Sequence, residues 1–166
     1  MVDVMSAEKR SALMSRIRGK DTTPEIQVRR YLWANGFRYR LHPKKLAGKP
    51  DLVLPKWHAV VFVHGCFWHR HEGCDYFRLP KTRSEFWDAK LQRNTSRDTA
   101  VIKTLIRAGW RVAVVWECAL RKDPGGTGLQ LALWLRSDKK SVQLIGQGHS
   151  IRSTALPKSR PQAKSP

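Results

Sequence analysis

Apolar residues recur at helical spacing in the first part of the chain and later gather into short unbroken runs. From Ser6 to Arg18, Leu13, Met14 and Ile17 fall on one side of a predicted helix and basic residues on the other, with Gly19 able to end it. A second helix has Thr23 as N-cap, Pro24 at its first position and Glu25 in its first turn, then Ile26, Val28, Leu32 and Trp33 at helical spacing. Asn35-Gly36 stops it. Phe37 to Leu41 alternates apolar and basic side chains, the pattern of a half-exposed strand. Asp51 to Leu54, entered through Lys49-Pro50, predicts a second strand, and His58 to Val63 a third that is apolar enough to be central. Ser84 caps a helical region reaching Ala108, with a break expected near Asn94-Thr95-Ser96. Gly109 closes it, Trp110 to Trp116 forms a buried strand, and Gln130 to Arg136 one more short helix. The order α-α-β-β-β-α-β predicts an α/β fold, a mixed central sheet flanked by helices.

Residues 1–136 carry this pattern. Beyond Arg136 periodic hydrophobicity fades, and residues 137–166 hold six Lys or Arg and one Asp. Ser150 to Pro166 is rich in Ser and Pro, so 137–166 reads as a basic, largely disordered tail.

Charge narrows the function. Lys and Arg number 32 against 13 Asp and Glu, a formal +19 over 166 residues, and an excess of this sign attracts a polyanion. No apolar run approaches the roughly 20 residues that span a bilayer, which argues against a membrane role. Met1 to Arg16 lacks the apolar stretch of a secretory signal, so the expected location is cytoplasmic. Three cysteines cannot pair into a disulfide framework, and in a reducing compartment metal binding or burial is their expected use.

The densest chemistry lies in residues 64–74, His-Gly-Cys-Phe-Trp-His-Arg-His-Glu-Gly-Cys, directly after the central strand. Cys66, His71 and Cys74 make a compact loop of soft and borderline ligands, and Cys118 follows the last strand as a possible fourth; Cys3His is a common structural zinc set. The alternative is three buried cysteines and a surface histidine. His64 and His69 remain for catalysis, with Asp51 at the head of the neighbouring strand. A carboxylate there can hold Mg2+ against a phosphodiester while a histidine moves the proton. Glu25, in the first turn of its helix, can reach the same place. Each has a plainer reading: Asp51 as a turn carboxylate, His64 as a satisfied strand-end histidine, Glu25 as a helix-dipole partner. Phe67 and Trp68, in a polar loop, suit stacking on a base or wedging between base pairs, and Trp87 can join them. Met14 and Ile17 form an apolar edge that is either core or a groove wedge. Trp33, Trp57, Trp110, Trp116 and Trp134 are assigned to packing.

These residues together resemble the very-short-patch repair (Vsr) endonucleases, DNA mismatch nickases of bacteria. The resemblance spans Asp3 to Arg121 and rests on Arg18-Gly-Lys-Asp-Thr-Thr-Pro-Glu25, Leu46-Ala-Gly-Lys-Pro-Asp51, Phe62-Val-His-Gly-Cys-Phe-Trp-His69, Thr82-Arg-Ser-Glu-Phe-Trp87 and Gly109-Trp-Arg-Val with Trp116-Glu-Cys-Ala-Leu120. It implies a restriction-endonuclease-like fold of the PD-(D/E)xK type, in a variant where Phe62-Val63-His64 replaces the acidic-x-Lys element. It further implies Mg2+ held by Asp51 and the Val63 backbone carbonyl, His69 as general base or acid, and His64 and Glu25 in support. Zinc would sit on Cys66, His71, Cys74 and Cys118. Phe67, Trp68 and Trp87 would insert from the major groove, Met14 and Ile17 from the minor groove, and Lys90 and Asn94 would contact the mismatch or its flank. The implied activity is nicking of one strand 5′ of the thymine in a T:G mismatch left by deaminated 5-methylcytosine. The implied partners are a cytosine-5 DNA methyltransferase and mismatch-repair proteins, and the implied state is a nucleoid-associated monomer. The rival readings are a restriction-like nuclease of matched DNA and a zinc-stapled DNA-binding protein without catalysis.

Overall fold

The computed structural model describes residues 19–147 and 150–156, with side chains left out at 147 and 150–153. The N-terminal helix expected at 6–18, with Met14 and Ile17, lies outside the described residues, as do 157–166. Helix α1 (Thr23–Ala34) leads to β1 (Arg40–Leu41), β2 (Leu52–Leu54), a 3-10 turn (Pro55–Trp57) and β3 (Ala59–His64). Then come α2 (Ser84–Arg107), β4 (Arg111–Trp116), α3 (Glu117–Lys122), α4 (Pro124–Leu135), β5 (Ser141–Gln147) and β6 (Ser150–Thr154).

The strands lie in sequence order, β1 to β6, in one mixed sheet. β1, β2 and β3 pair antiparallel, β3, β4 and β5 parallel, and β6 returns antiparallel to β5. Side chains alternate across the pleat, so Ala59, Val61, Ala113 and Val115 point into one core with Val28 and Leu32 of α1 and Leu131 and Leu135 of α4. Val60, Phe62, Val112 and Val114 point into the other, against Leu105, Ile102 and Ile106 of α2. Continuing the same alternation, His64 stands on the α2 face, level with Trp116 in the next strand. The C-terminal ends of the interior strands β3 and β4 therefore deliver the 64–74 loop and Cys118 to one end of the sheet.

Several sequence expectations are corrected. Thr22, not Thr23, caps α1, its hydroxyl accepting from the Glu25 amide. The first strand shrinks from 37–41 to Arg40–Leu41, and the third starts after His58, whose φ of 46° marks a turn. α2 runs unbroken through Asn94-Thr95-Ser96. The Thr95 hydroxyl bonds back to the Leu91 carbonyl at 3.1 Å, and the Asn94 amide donates to the Trp68 carbonyl at 3.1 Å, so neither competes with the helix backbone. The last helix begins at Pro124 instead of Gln130, capped by Asp123. Two strands follow where a disordered tail was expected, and β5 buries Val142 and Leu144 against β4. Trp33, assigned to packing, is 55% exposed, with the Arg38 guanidinium 4.0 Å over its ring.

Candidate active site and metal centre

Asp51 stands one residue before β2, where the β2–β3 ladder has ended, so β3 offers backbone groups with no strand opposite. The Asp51 carboxylate takes one of them, accepting from the Val63 amide at 2.7 Å. In a strand the N–H and C=O of one residue point to the same side, so the Val63 carbonyl faces that open edge beside Asp51. Burial pushes the Asp51 carboxyl up to about 6, the Val63 hydrogen bond opposes the rise, and the Glu25 charge adds to it. A buried carboxylate with one backbone donor is short of positive charge, and together with a facing carbonyl it is a donor set that fits a hard dication.

The two histidines stack face to face, ring centroids 3.8 Å apart and planes within 3°. His64 is buried, and burial followed by the His69 charge lowers it to about 3, so it is neutral at working pH. His69 Nδ1 lies 2.5 Å from Asp98 Oδ2. Burial pushes the Asp98 carboxyl up, but the His69 hydrogen bond and charge outweigh it and leave the carboxyl below its ordinary value. An ionised Asp98 only accepts, so Nδ1 carries the proton and Nε2 is the atom open to chemistry. Asp98 escaped the sequence reading. Its signal is positional: on α2 it sits seven residues from both Leu91 and Leu105, a lone carboxylate on the buried stripe.

Asp51, Val63, His64, His69 and Asp98 line one cleft of about 590 Å³, together with Glu25, Trp68 and Glu117. Glu25 is 4% exposed and fully occupied. It accepts from Arg29 at 2.8 Å, from the Thr22 hydroxyl at 2.9 Å and from the Asp21 amide at 3.0 Å. Arg29 also pairs with Asp21 and lies 3.2 Å from His42 Nε2, so the carboxylates and imidazole here already surround a guanidinium. Glu25 thus borders the cleft as a buried anion near Asp51, held in place from α1. Glu117, also missed, accepts from the Cys66 amide at 3.2 Å and from Arg121, tying the start of the loop to α3.

Tight turns then fold the loop back on itself: the His69 amide donates to the Gly65 carbonyl and the His71 amide to the Cys66 carbonyl. They bring Cys66, His71 and Cys74 to Cys118, with all four ligand atoms within 4.8 Å of one another. The His71 Nδ1 is 3.6 Å from the Cys66 sulfur and 3.5 Å from that of Cys118. A hydrogen bond from Cys66 holds the Cys118 thiol far below its usual value and pushes Cys66 far above it. The set matches a tetrahedral Cys3His zinc site in donor type and spacing. β5 supports it from outside: the Gly146 amide donates to the Cys118 sulfur at 3.2 Å, and a Cβ on Gly146 would lie 2.6 Å from the Cys118 carbonyl.

The aromatic residues also converge. Phe67 meets Trp68 and Trp87 edge-on, at 5.1 and 5.5 Å between centroids, and Trp68 lies 6.2 Å from Trp87. The Lys90 ammonium is 5.2 Å from the Trp87 ring and 5.7 Å from that of Trp68. Asn94 holds the Trp68 carbonyl, so the five residues singled out here form one plate beside the cleft. Phe86, 43% exposed and packed on Trp87, extends it and had not been singled out.

Comparison with known proteins gives a consistent result. The family described as DNA mismatch endonuclease Vsr matches residues 2–76. The DNA mismatch endonuclease Vsr of Escherichia coli is 39% identical over 153 residues, 89% of this chain and 97% of that protein. The type II nicking enzyme V.XorIIP of Xanthomonas oryzae pv. oryzae is 49% identical over 120 residues, 72% of this chain and 88% of its own. V.NmeAIP of Neisseria meningitidis, also a type II nicking enzyme, is 45% identical over 121 residues, covering 73% of this chain and 86% of its own.

Proposed function

Since this chain belongs to the Vsr family of DNA mismatch endonucleases, we propose that it is a Mg2+-dependent DNA endonuclease that nicks one strand 5′ of the thymine in a T:G mismatch. The observation that carries the reading is the convergence of Asp51, the Val63 carbonyl and the His69–Asp98 pair on one cleft. A plate of Phe67, Trp68 and Trp87 stands at its edge.

Asp51 and the Val63 carbonyl would hold Mg2+ on the open edge of β3, as a member of the restriction-endonuclease-like fold in its PD-(D/E)xK variant. When bound, the ion offsets charge on the phosphodiester and makes the attacking water more acidic. Asp98 fixes the His69 tautomer, and His69 Nε2 takes the proton from that water as its oxygen forms a bond to phosphorus. The P–O3′ bond breaks and the leaving oxygen takes a proton from solvent, which gives a 3′-hydroxyl and a 5′-phosphate. His64 stays neutral and supports the His69 ring by stacking, so no second positive charge competes with the proton His69 receives. Glu25, locked by Arg29, borders the cleft beside Asp51 and fixes the start of α1 there.

Zinc on Cys66, His71, Cys74 and Cys118 would staple the loop that carries His69, Phe67 and Trp68 to α3. The aromatic plate would select a mismatch because a poorly stacked step costs less to open. Lys90 and Asn94 reach the same place from α2, and Met14 and Ile17 would approach from the opposite groove. The lesion chemistry ties the activity to a cytosine-5 methyltransferase and to mismatch-repair proteins, with the enzyme acting as a monomer in the bacterial cytoplasm.

The test is incubation of the protein and its Asp51→Ala variant with Mg2+ and end-labelled duplexes carrying T:G, other mismatches or matched pairs in methyltransferase sites. One-strand nicking 5′ of the thymine, absent in the variant, is expected. Cutting of matched DNA at comparable rate would replace the mismatch reading with a restriction-like one, and tight binding without cleavage would leave a zinc-stapled binder.

A further inference from the structure

The His64–His69–Asp98 group has a second side. It also forms the wall of another cleft, of about 570 Å³, between the C-terminal half of α2, the ends of β4 and β5, and the chain leaving β6. That volume lies within the range of about 300–1,000 Å³ usual for small-ligand sites. Ile102, Ile106, Val114, Trp116 and Leu156 make the walls apolar. The Trp116 indole N–H donates to the Gln143 carbonyl at 3.4 Å, so among the described residues the Gln143 amide keeps its two N–H donors for a base edge. Four basic residues line the cleft: Arg70 is held by Glu72 and Asp88, which leaves three further cations around these walls, Lys103 and Arg107, one turn apart on α2, and Lys140, just before β5. Among the described residues lining the cleft, Asp98 is the one carboxylate, and it is bound to His69.

We propose that this cleft is a nucleotide subsite that takes the strand end bearing the 5′-phosphate. Apolar walls with an amide suit a nucleobase, and clustered cations suit a phosphate. Three cations favour a terminal phosphate, with about −1.5 to −2 charge at neutral pH, over an internal diester with one. The cleft shares its His64–His69–Asp98 wall with the cleavage cleft, while Lys103 and Arg107 lie five and nine residues beyond Asp98 on α2, so the strand end is held there after it has left the cleavage position. The sequence after Leu156 carries Lys158, Arg160 and Lys164 and no carboxylate, so its charge does not match the cleft as an occupant. The identity of the strand end rests on the endonuclease reading; the existence of a nucleotide site does not.

The test uses the full chain without divalent cations and a fluorescent single-stranded oligonucleotide with either a 5′-phosphate or a 5′-hydroxyl. Anisotropy should show about tenfold tighter binding of the phosphorylated end. Lys103→Glu with Arg107→Glu should erase that ratio, while Lys44→Glu with Lys45→Glu, on the β1–β2 connection, weakens both oligonucleotides alike and keeps it. Thermal unfolding checks that the variants fold, and Lys103→Gln alone, cutting the ratio at least threefold, serves if the double variant does not. Equal affinity for the two ends, or loss of the ratio in the Lys44/Lys45 variant, overturns the proposal. A wild-type protein that leaves T:G duplexes intact with Mg2+ yet keeps the ratio would sink the nuclease reading and leave this site standing.

Discussion

Burial sets the Asp51 carboxyl against its own charge, and the conflict has measurable consequences. Its folded value of about 6 lies above the ordinary 3.8, so the folded state prefers the protonated form. The stability that group contributes is present below about pH 4, is lost as pH rises through about 6, and stays lost above. Asp51→Asn keeps the neutral form at every pH. In the absence of divalent cations it should raise the unfolding midpoint at pH 8, by an amount equivalent to about 1–3 kcal/mol, and leave it unchanged near pH 4. Cleavage should be abolished, and the stabilisation of the wild type by added Mg2+ should vanish with it. A wild type more stable than the Asn variant at pH 8 without metal would contradict the burial argument. His69 depends on Asp98 in a different way, through its tautomer. Asp98→Asn leaves a neutral partner that can offer a donor to Nδ1 and turn the wrong nitrogen toward the cleft. Single-turnover cleavage should fall by roughly 10²-fold or more, while affinity for T:G duplex, measured without Mg2+, stays within about twofold.

At the scale of elements, β5 supports the Cys3His cluster proposed to hold zinc. Gly146 sits so close to the Cys118 carbonyl that a methyl group there must move backbone, not a side chain. Gly146→Ala should therefore cost about 1–3 kcal/mol by overpacking, seen as a lower melting temperature, and should speed loss of zinc to a chelator because the Gly146 N–H···Sγ bond is displaced. A variant that melts and releases zinc like the wild type would show that β5 does not support the site. None of this support was legible in the sequence. β3 and β4 were, since Val60 to Val63 and Val112 to Val115 are unbroken apolar runs bounded by turn residues. β5 buries only Val142 and Leu144, alternating with Ser141 and Gln143 inside a basic, polar stretch, and its composition resembled a tail. The expected break in α2 failed for a similar reason. Asn94 and Thr95 are poor helix residues in isolation, but their polar groups are engaged by the Trp68 carbonyl and the preceding turn. What residue type and short spacing did make legible is the grouping of Cys66, His71 and Cys74, whose ligand atoms lie with that of Cys118 within 4.8 Å of one another. Asp98 was hidden because its role depends on which face of a long helix meets the sheet.

Across the whole molecule, the proposed reading draws affinity and selectivity from different parts. The formal charge of +19 acts on phosphates, which are the same in matched and mismatched duplexes, so its contribution is screened by salt and blind to the lesion. The aromatic plate would act on stacking, which differs between them, and it carries no charge apart from Lys90. The two can therefore be varied separately. Raising salt from 50 to 200 mM should weaken binding of both duplexes by a large common factor, on the order of 10³ if about six phosphates are contacted. The T:G preference should be nearly constant over that range. Phe67→Ala combined with Trp68→Ala should do the reverse, reducing the preference by at least tenfold while leaving the slope of log affinity against log salt unchanged. Neither side chain is among the proposed zinc ligands, so metal content, measured on the same samples, should match that of the wild type. A preference that decays with salt in parallel with affinity would place mismatch selection in the charged contacts, and the plate would then be packing for the loop instead of the element that reads the lesion.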